Sequence, residues 1–155
     1  MVSVKNLRRY SFFDFMGDNE LETVAKIAVD AKYQKGDVII EAGQPADTFY
    51  FLAEGNLAYY YVVTIGNDPY YKKEYHISDI NAGEIFGISA LIEPYRYTAS
   101  LRVDAPSRVI KILAEDLRTL CEADPKLAYG LMQAVAKAAI ERLEVTRIQL
   151  IAARV

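Results

Sequence analysis

Residues 32–113 alternate between short apolar runs and turn signals, and this period constrains the fold more than any other feature of the sequence. The runs are rich in Val, Ile, Tyr and Phe, and the turns contain Gly, Pro, Asn or Asp, which favour strands and turns respectively. No helix-length segment separates consecutive runs, so a doubly wound parallel sheet is disfavoured. Runs at roughly 8–12-residue spacing are typical of a barrel or sandwich of the jelly-roll kind. The predicted strands cover residues 38–40, 49–52, 57–64, 75–80, 100–103 and 109–113.

Helical patterns flank this region on both sides. Residues 11–31 carry apolar side chains at helix-like spacing, with a break near Gly17, and predict short N-terminal helices. Residues 114–155 predict C-terminal helices, and Asp124 followed by Pro125 is a strong start signal for the last and longest of them. The predicted fold class is mainly β with flanking α: a double-stranded β-helix, or jelly-roll barrel, over 32–113 within a single domain, residues 1–155.

The long C-terminal helix carries two apolar stripes. The first alternates by four and three, as the heptad seam of a coiled coil does. A helix this long outruns the barrel that it would have to cover, so one stripe is expected to pack on the barrel and the other on a partner subunit. The alternative is that both stripes are buried within one monomer. The first stripe contains Leu127, Leu131, Ala134, Ala138, Glu141, Val145, Ile148, Ala152 and Val155, and the second contains Ile140, Leu143, Leu150 and Ile151.

Composition and charge exclude several classes of protein. The chain has 155 residues, 52% of them hydrophobic and 25% charged, which is typical of one soluble globular domain. Its net charge of −3 argues against a strongly basic nucleic-acid binder. The single cysteine, Cys121, and the single histidine, His76, exclude a disulfide framework and a multi-histidine metal centre. No apolar run approaches the ~20 residues of a membrane span, and no signal peptide is evident, so we expect a cytoplasmic protein without membrane association.

Motifs of the common enzyme classes are absent from the sequence. It contains no Walker loop, no GxSxG elbow and no HExxH. Metal-dependent enzymes built on small double-sheet barrels use two or three histidines as metal ligands, and this chain has one histidine. We therefore expect a protein that is not an enzyme, with no catalytic residues and no metal site.

One segment has the pattern of an anion site. A predicted strand ends at Phe86, Gly87 permits a tight turn, and a short helical turn is predicted over residues 88–92. The first amides of a helix have no partner within it, so they attract anions. Ser89 adds a hydroxyl, and Arg96 downstream adds a positive charge with a planar fork suited to phosphate.

Spaced motifs along nearly the whole chain resemble those of the cyclic nucleotide-binding domain family. These are Gly-Asp-Val-Ile at 36–39, Glu-Ala-Gly at 41–43, Phe-Tyr-Phe-Leu at 49–52, Gly-Glu-Ile-Phe-Gly at 83–87 and Glu-Arg-Leu-Glu-Val-Thr at 141–146. The resemblance implies an eight-stranded jelly roll. It also implies that residues 83–100 form the segment that binds the phosphate in this family, which we call the cassette.

The resemblance also implies which residues hold the ligand. Thr146 on the long helix would meet a purine base. Arg96, one place before the family's arginine position, would supply charge if Pro94 reshapes the loop. The other implied ligand-binding residues are those of the cassette turn and of the segment after it, Gly87, Ile88, Ser89, Ala90, Thr98, Ala99 and Ser100.

Two cassette positions depart from the family pattern. Ile88 stands where the family has the acidic residue that binds the ribose hydroxyl, and Tyr97 stands where it has the arginine that pairs with the phosphate. Weak or altered binding of cyclic AMP and cyclic GMP is therefore expected, with another phosphate-bearing ligand as an alternative and no required cofactor.

We expect a regulatory domain that senses a small-molecule ligand bound by its cassette. We also expect it to form a homodimer through its C-terminal helix. The chain stops before the ~60 residues of the helix-turn-helix module found in related activators, so no DNA binding by this chain alone is expected. The competing hypothesis is a dimeric protein-interaction module that kept the barrel and has a non-functional nucleotide pocket.

Overall fold

A computed structural model describes residues 2–68 and 70–154 of the chain. Helix α1 (Val4–Leu7), a short 3-10 helix (Ser11–Phe15) and α2 (Asp18–Ile27) precede the strands. Helices α3 (Ala114–Ala123) and α4 (Pro125–Ala153) follow them. The mainly β class with short N-terminal helices and a long C-terminal helix is therefore confirmed.

The first strand begins earlier than the sequence predicts. Residues 28–31 were expected to be helical, but α2 ends at Ile27 and β1 (Ala28–Tyr33) follows at once. Strand β1 pairs antiparallel with the end of the last strand, with Ala28 opposite Ile112 and Tyr33 opposite Ser107. Tertiary pairing decides the conformation here, because the local pattern of apolar residues is compatible with either element.

The remaining strands are β2 (Val38–Ile40), β3 (Thr48–Thr64), β4 (Lys72–Asn81), β5 (Ile85–Phe86) and β6 (Ser100–Leu113). The sheet order is β1-β6-β3-β4, with β2 on β6 and β5 on β3, and the pairs are antiparallel. The described residues thus contain six strands rather than the expected eight. The predicted runs 49–52 and 57–64 are parts of β3, and 100–103 and 109–113 are parts of β6.

Bulges, rather than turns, join the halves of these two long strands. The register of β3 against β6 shifts three times between Leu52 and Leu57. Gly55 lies at this point with φ +105°, and a Cβ on it would overlap the side chain of Ser107. A glycine in the middle of a strand therefore marks a bend and a close approach here, not the end of the strand.

One hydrophobic core joins the barrel to the helices on both sides. Its largest fully buried side chains come from every layer: Leu7, Phe13, Leu21, Phe51, Leu52, Leu57, Ile80, Phe86, Ile110, Leu117, Leu127 and Leu131. The predicted start of α4 is confirmed, with Pro125 first and the Asp124 carboxylate accepting a hydrogen bond from the Leu127 amide at 3.1 Å.

The two stripes of α4 differ in environment in the first part of the helix, whereas Val145 and Ile148, farther along the first stripe, are exposed like the second stripe. At 29 residues the helix is about 43 Å long, and only its first part lies against the core. Leu127 and Leu131 of the first stripe are buried, and Ala134 and Ala138 pack partly on the core. The second stripe is 47–64% exposed along its length. Val155, the last member of the first stripe, lies outside the described residues.

Candidate functional site

A tight turn separates β5 from the short 3-10 helix Ile88–Leu91, which we call the cassette helix. Gly87 forms this turn in the left-handed conformation, with φ +67° and ψ +31°. A Cβ at this position would lie 2.9 Å from Cδ2 of Tyr50 and 3.0 Å from the carbonyl oxygen of Thr48. Both the backbone conformation and the lack of space therefore require glycine.

The cassette helix leaves backbone donors free at its start. The Ala90 amide donates to the Gly87 carbonyl at 3.1 Å, and the Ile92 amide to the Ser89 carbonyl at 3.2 Å. Within the described chain, the amides of Ile88 and Ser89 donate to no protein acceptor. This is the arrangement that the sequence predicts for the segment after Phe86.

These two residues line a cavity of about 230 Å³ between the barrel and α4. Most of the side chains in its wall are apolar rather than charged. The lining residues are Ile40, Tyr59, Phe86, Gly87, Ile88, Ser89, Tyr97, Thr98, Ala99, Leu101, Ala139 and Arg142. Five of the nine predicted ligand-binding residues are therefore brought together: Gly87, Ile88, Ser89, Thr98 and Ala99.

The other four predicted residues do not line this cavity. Ala90 belongs to the cassette helix and is fully buried. Arg96 is exposed, and its Nη1 donates to the carbonyl oxygen of Gly43 at 3.0 Å. Ser100 is buried, where its hydroxyl accepts from the Ala42 amide at 3.0 Å. Thr146 lies on the exposed part of α4, and its hydroxyl donates to the Arg142 carbonyl at 3.0 Å.

Tyr97, where the resemblance implies an arginine, turns inward. Its hydroxyl donates to the carbonyl oxygen of Thr48 at 2.6 Å and accepts from the Thr48 amide at 3.2 Å. Burial, with a smaller contribution from Asp47, raises the pKa of Tyr97 to about 12. The side chain is therefore neutral at physiological pH and brings no positive charge to the cavity.

Arg142 brings the positive charge that the loop does not supply. This side chain reaches the cavity from α4, and its Nη2 donates to the carbonyl oxygen of Ile85 at 2.5 Å. Burial lowers the pKa of Arg142, while Tyr59, Glu84 and Glu141 oppose that shift. Arginine remains cationic at such a site, because its unperturbed pKa is so high.

Sequence reasoning named Arg142 only as part of a helix motif and missed its contact with the cavity. The signal that points to it is spacing on α4. Arg142 precedes the predicted site residue Thr146 by four positions, so the two lie on one helix face. Whether an arginine there reaches the barrel depends on how α4 packs, which helix spacing alone does not determine.

A family model and a curated relative match most of this chain. A family model described as "Cyclic nucleotide-binding domain" matches residues 31–124. Among curated proteins, the "Putative potassium channel protein" of Rhodopseudomonas palustris is 21% identical over 135 residues, covering 87% of this chain and 31% of that protein. This chain thus spans about a third of the length of that relative.

Solved structures extend the similarity over nearly the whole chain. A "Putative Cyclic nucleotide-binding protein" from Geobacter metallireducens is 34% identical with a TM-score of 0.78, covering 92% of this chain and 99% of that one. The regulatory domain of Toxoplasma gondii PKA, crystallised with cAMP, is 20% identical with a TM-score of 0.66, covering 84% of this chain and 48% of that one. The second similarity concerns the fold alone.

The described residues contain neither a membrane-spanning helix nor a cluster of metal ligands. Across residues 2–68 and 70–154, no helix has the length and apolar character needed to cross a membrane. The same residues contain no cluster of three or more His, Cys, Asp or Glu side chains placed to hold a metal ion.

Proposed function

The chain belongs to the cyclic nucleotide-binding domain family, and we propose that it senses a small anionic ligand bound between its cassette and α4. One observation carries this proposal. Ile88 and Ser89, whose amides donate to no protein acceptor in the described chain, line the same cavity as Arg142. Backbone N–H donors and a partly buried cation on one cavity favour an anion. The role is regulatory binding rather than catalysis, in a single cytoplasmic domain over residues 1–155.

We propose that this cavity binds cyclic AMP and cyclic GMP more weakly than a family member with the full pattern. Ile88 accepts no hydrogen bond from a ribose hydroxyl, and Tyr97 is neutral and bonded to Thr48. A hydrogen bond to a charged group contributes about 1.5–3 kcal/mol. Losing two of them weakens binding by roughly a hundredfold to ten-thousandfold, at about 1.4 kcal/mol per decade.

Arg142 is the residue we propose to contact the anion. It keeps donors available beyond the bond to Ile85, because a guanidinium carries five N–H groups. Glu84 and Glu141 lie close enough to influence its pKa, so a ligand at this point competes with two carboxylates of the protein. The apolar wall formed by Ile40, Phe86 and Leu101 favours a ligand with an apolar body behind its anionic group.

Calorimetry with cyclic AMP, cyclic GMP and inorganic phosphate tests this site. Arg142→Gln is expected to weaken whichever probe binds by about tenfold to a hundredfold. Arg147→Gln is the matched control, because Arg147 is an exposed arginine of the same helix that does not line the cavity. Sub-micromolar binding of cyclic AMP contradicts the proposed weakening, and equal losses in both variants contradict the role of Arg142.

The exposed second stripe of α4 supports a homodimer through this helix. Ile140, Leu143, Leu150 and Ile151 are all 47–64% exposed, although they are large apolar side chains. Exposed apolar stripes of this kind typically pack against another subunit. The second stripe, together with the exposed Val145 and Ile148 of the heptad stripe, is therefore our proposed interface.

A second candidate function is an interaction module whose nucleotide pocket does not work. Two observations favour it: Arg96 points away toward Gly43, and Tyr97 fills the arginine position. Thermal shift separates the two functions, since a ligand that binds only the native state raises the melting temperature. No shift with any of the three probes at millimolar concentration supports the interaction module.

A further inference from the structure

The cavity between the cassette and α4 is small for a nucleotide. Its volume is about 230 Å³. An apolar protein cavity of about 150 Å³ holds one benzene molecule. On that scale this cavity accommodates about nine non-hydrogen atoms, and a cyclic nucleotide has more than twice that many. The cavity therefore fits a ligand the size of one six-membered ring with a short substituent.

The electrostatics of the cavity favour a single negative charge. Among the lining residues of the described chain, only Arg142 is charged. Glu84 and Glu141 lie close enough to Arg142 to oppose the effect of burial on its pKa, and their repulsion penalises a dianion more than a monoanion. A guanidinium donates two parallel hydrogen bonds to one carboxylate. The hydroxyls of Ser89 and Thr98, on the same wall, are further donors for the carboxylate oxygens.

The rest of the wall offers few partners for additional polar groups. Ile40, Phe86 and Leu101 present only apolar side chains to the cavity. The hydroxyl of Tyr97 is already engaged, because it donates to the carbonyl oxygen of Thr48 and accepts from the Thr48 amide. Each polar group of a ligand that is buried here without a hydrogen bond weakens binding by about tenfold or more. A ribose and a purine carry several such groups.

We propose that the site takes a small organic acid, with one carboxylate held by Arg142 and an apolar body against Ile40, Phe86 and Leu101. This inference rests on the proposed function, because it names the class of anion that the cavity binds. The whole acid has about nine non-hydrogen atoms, as the volume requires. An aromatic ring and an aliphatic ring both satisfy this wall, since hydrophobic burial depends on apolar area and has no direction.

Calorimetry of the full chain with five probes tests this assignment: benzoate, benzamide, acetate, cyclic AMP and inorganic phosphate. Benzoate has the required size and charge, and its dissociation constant is expected to lie in the millimolar range. Benzamide has the same size without the charge, and acetate has the charge without the apolar body. Both are expected to bind at least tenfold more weakly than benzoate. Cyclic AMP and phosphate are also expected to bind more weakly than benzoate.

A pair of variants on α4 tests whether benzoate occupies this cavity. Ala139 lines the cavity and is an exposed helix residue, so Ala139→Leu narrows the cavity without disturbing the core. It is expected to weaken benzoate binding about tenfold. Ala136→Leu is the matched control, because Ala136 is an exposed alanine of the same helix that does not line the cavity. Circular dichroism checks that both variants are folded.

The outcomes separate this inference from the proposed function. Acetate or benzamide binding as tightly as benzoate overturns the role of the apolar body or of the charge, respectively. Cyclic AMP or phosphate binding more tightly than benzoate overturns the organic-acid class and leaves the proposed function intact. Equal affinity for benzoate in Ala139→Leu and the wild type overturns the assignment to this cavity. Absence of binding by every probe contradicts the proposed function, and the inference fails with it.

Discussion

Replacing Gly87 by alanine tests whether the turn before the cassette helix is as constrained as its geometry indicates. A left-handed alanine costs about 1–2 kcal/mol because its Cβ approaches the backbone. At Gly87 the added Cβ also meets Tyr50 at 2.9 Å and the Thr48 carbonyl at 3.0 Å. Overpacking of this kind in a core costs about 1–3 kcal/mol more. The expected loss in the free energy of unfolding is therefore about 2–5 kcal/mol.

Gly66→Ala is the matched control for this substitution. Gly66 has φ +66°, nearly that of Gly87, but a Cβ on it would meet nothing within 4 Å. Urea unfolding followed by circular dichroism gives both free energies, and Gly66→Ala is expected to lose only about 1–2 kcal/mol. The difference between the two variants measures the close approach of the cassette to β3. Equal losses would refute the argument that the packing around Gly87, beyond its φ, requires glycine.

The remaining predictions concern the dimer and the buried tyrosine. Ile140→Glu combined with Leu143→Glu places charges on the exposed stripe, so light scattering at micromolar concentration should change from dimer to monomer; a wild type that is already monomeric rules out this interface. Tyr97→Phe leaves both backbone groups of Thr48 without their partner and should lower the free energy of unfolding near neutral pH by about 1–3 kcal/mol. Stability should also fall above pH 10, because the unfolded state releases the phenolic proton there while native Tyr97, with a pKa of about 12, retains it. Urea titrations between pH 10 and 12 should show a slope about 1.4 kcal/mol per pH unit smaller in Tyr97→Phe than in the wild type; equal slopes would show that Tyr97 is not protected.

The period of apolar residues predicts the class of the fold but not the limits of its strands. Period-two runs indicate where strands lie, since that pattern depends only on which face is buried. It does not show whether Gly55 ends a strand or bends it, because that depends on Ser107, which is more than fifty residues away. Strand β5 is only two residues long, which is too short to show a period-two pattern of apolar residues.

Some features of the candidate site likewise follow from nearby sequence, and others depend on contacts between residues far apart in the chain. The turn at Gly87 and the free amides after it follow from a short stretch of sequence, and the structure contains both. The direction of Arg96 depends on the loop that carries it, where the residue pairs with Pro45 and bonds to Gly43. The approach of Arg142 depends on the packing of α4. The contacts of Arg96 and of Arg142 both join residues far apart in the chain, so sequence spacing alone does not determine them.

The continuity of β3 and β6 has a consequence for motion. Each strand runs without interruption through its bulges, and each pairs with several other strands along its length. Opening the barrel would break both ladders together, whereas the part of α4 beyond Ala138 contacts the barrel through a few side chains, among them Arg142 and Gln149. The barrel therefore serves as a fixed reference frame, and distances measured from β3 or β6 to α4 would report displacement of the helix alone.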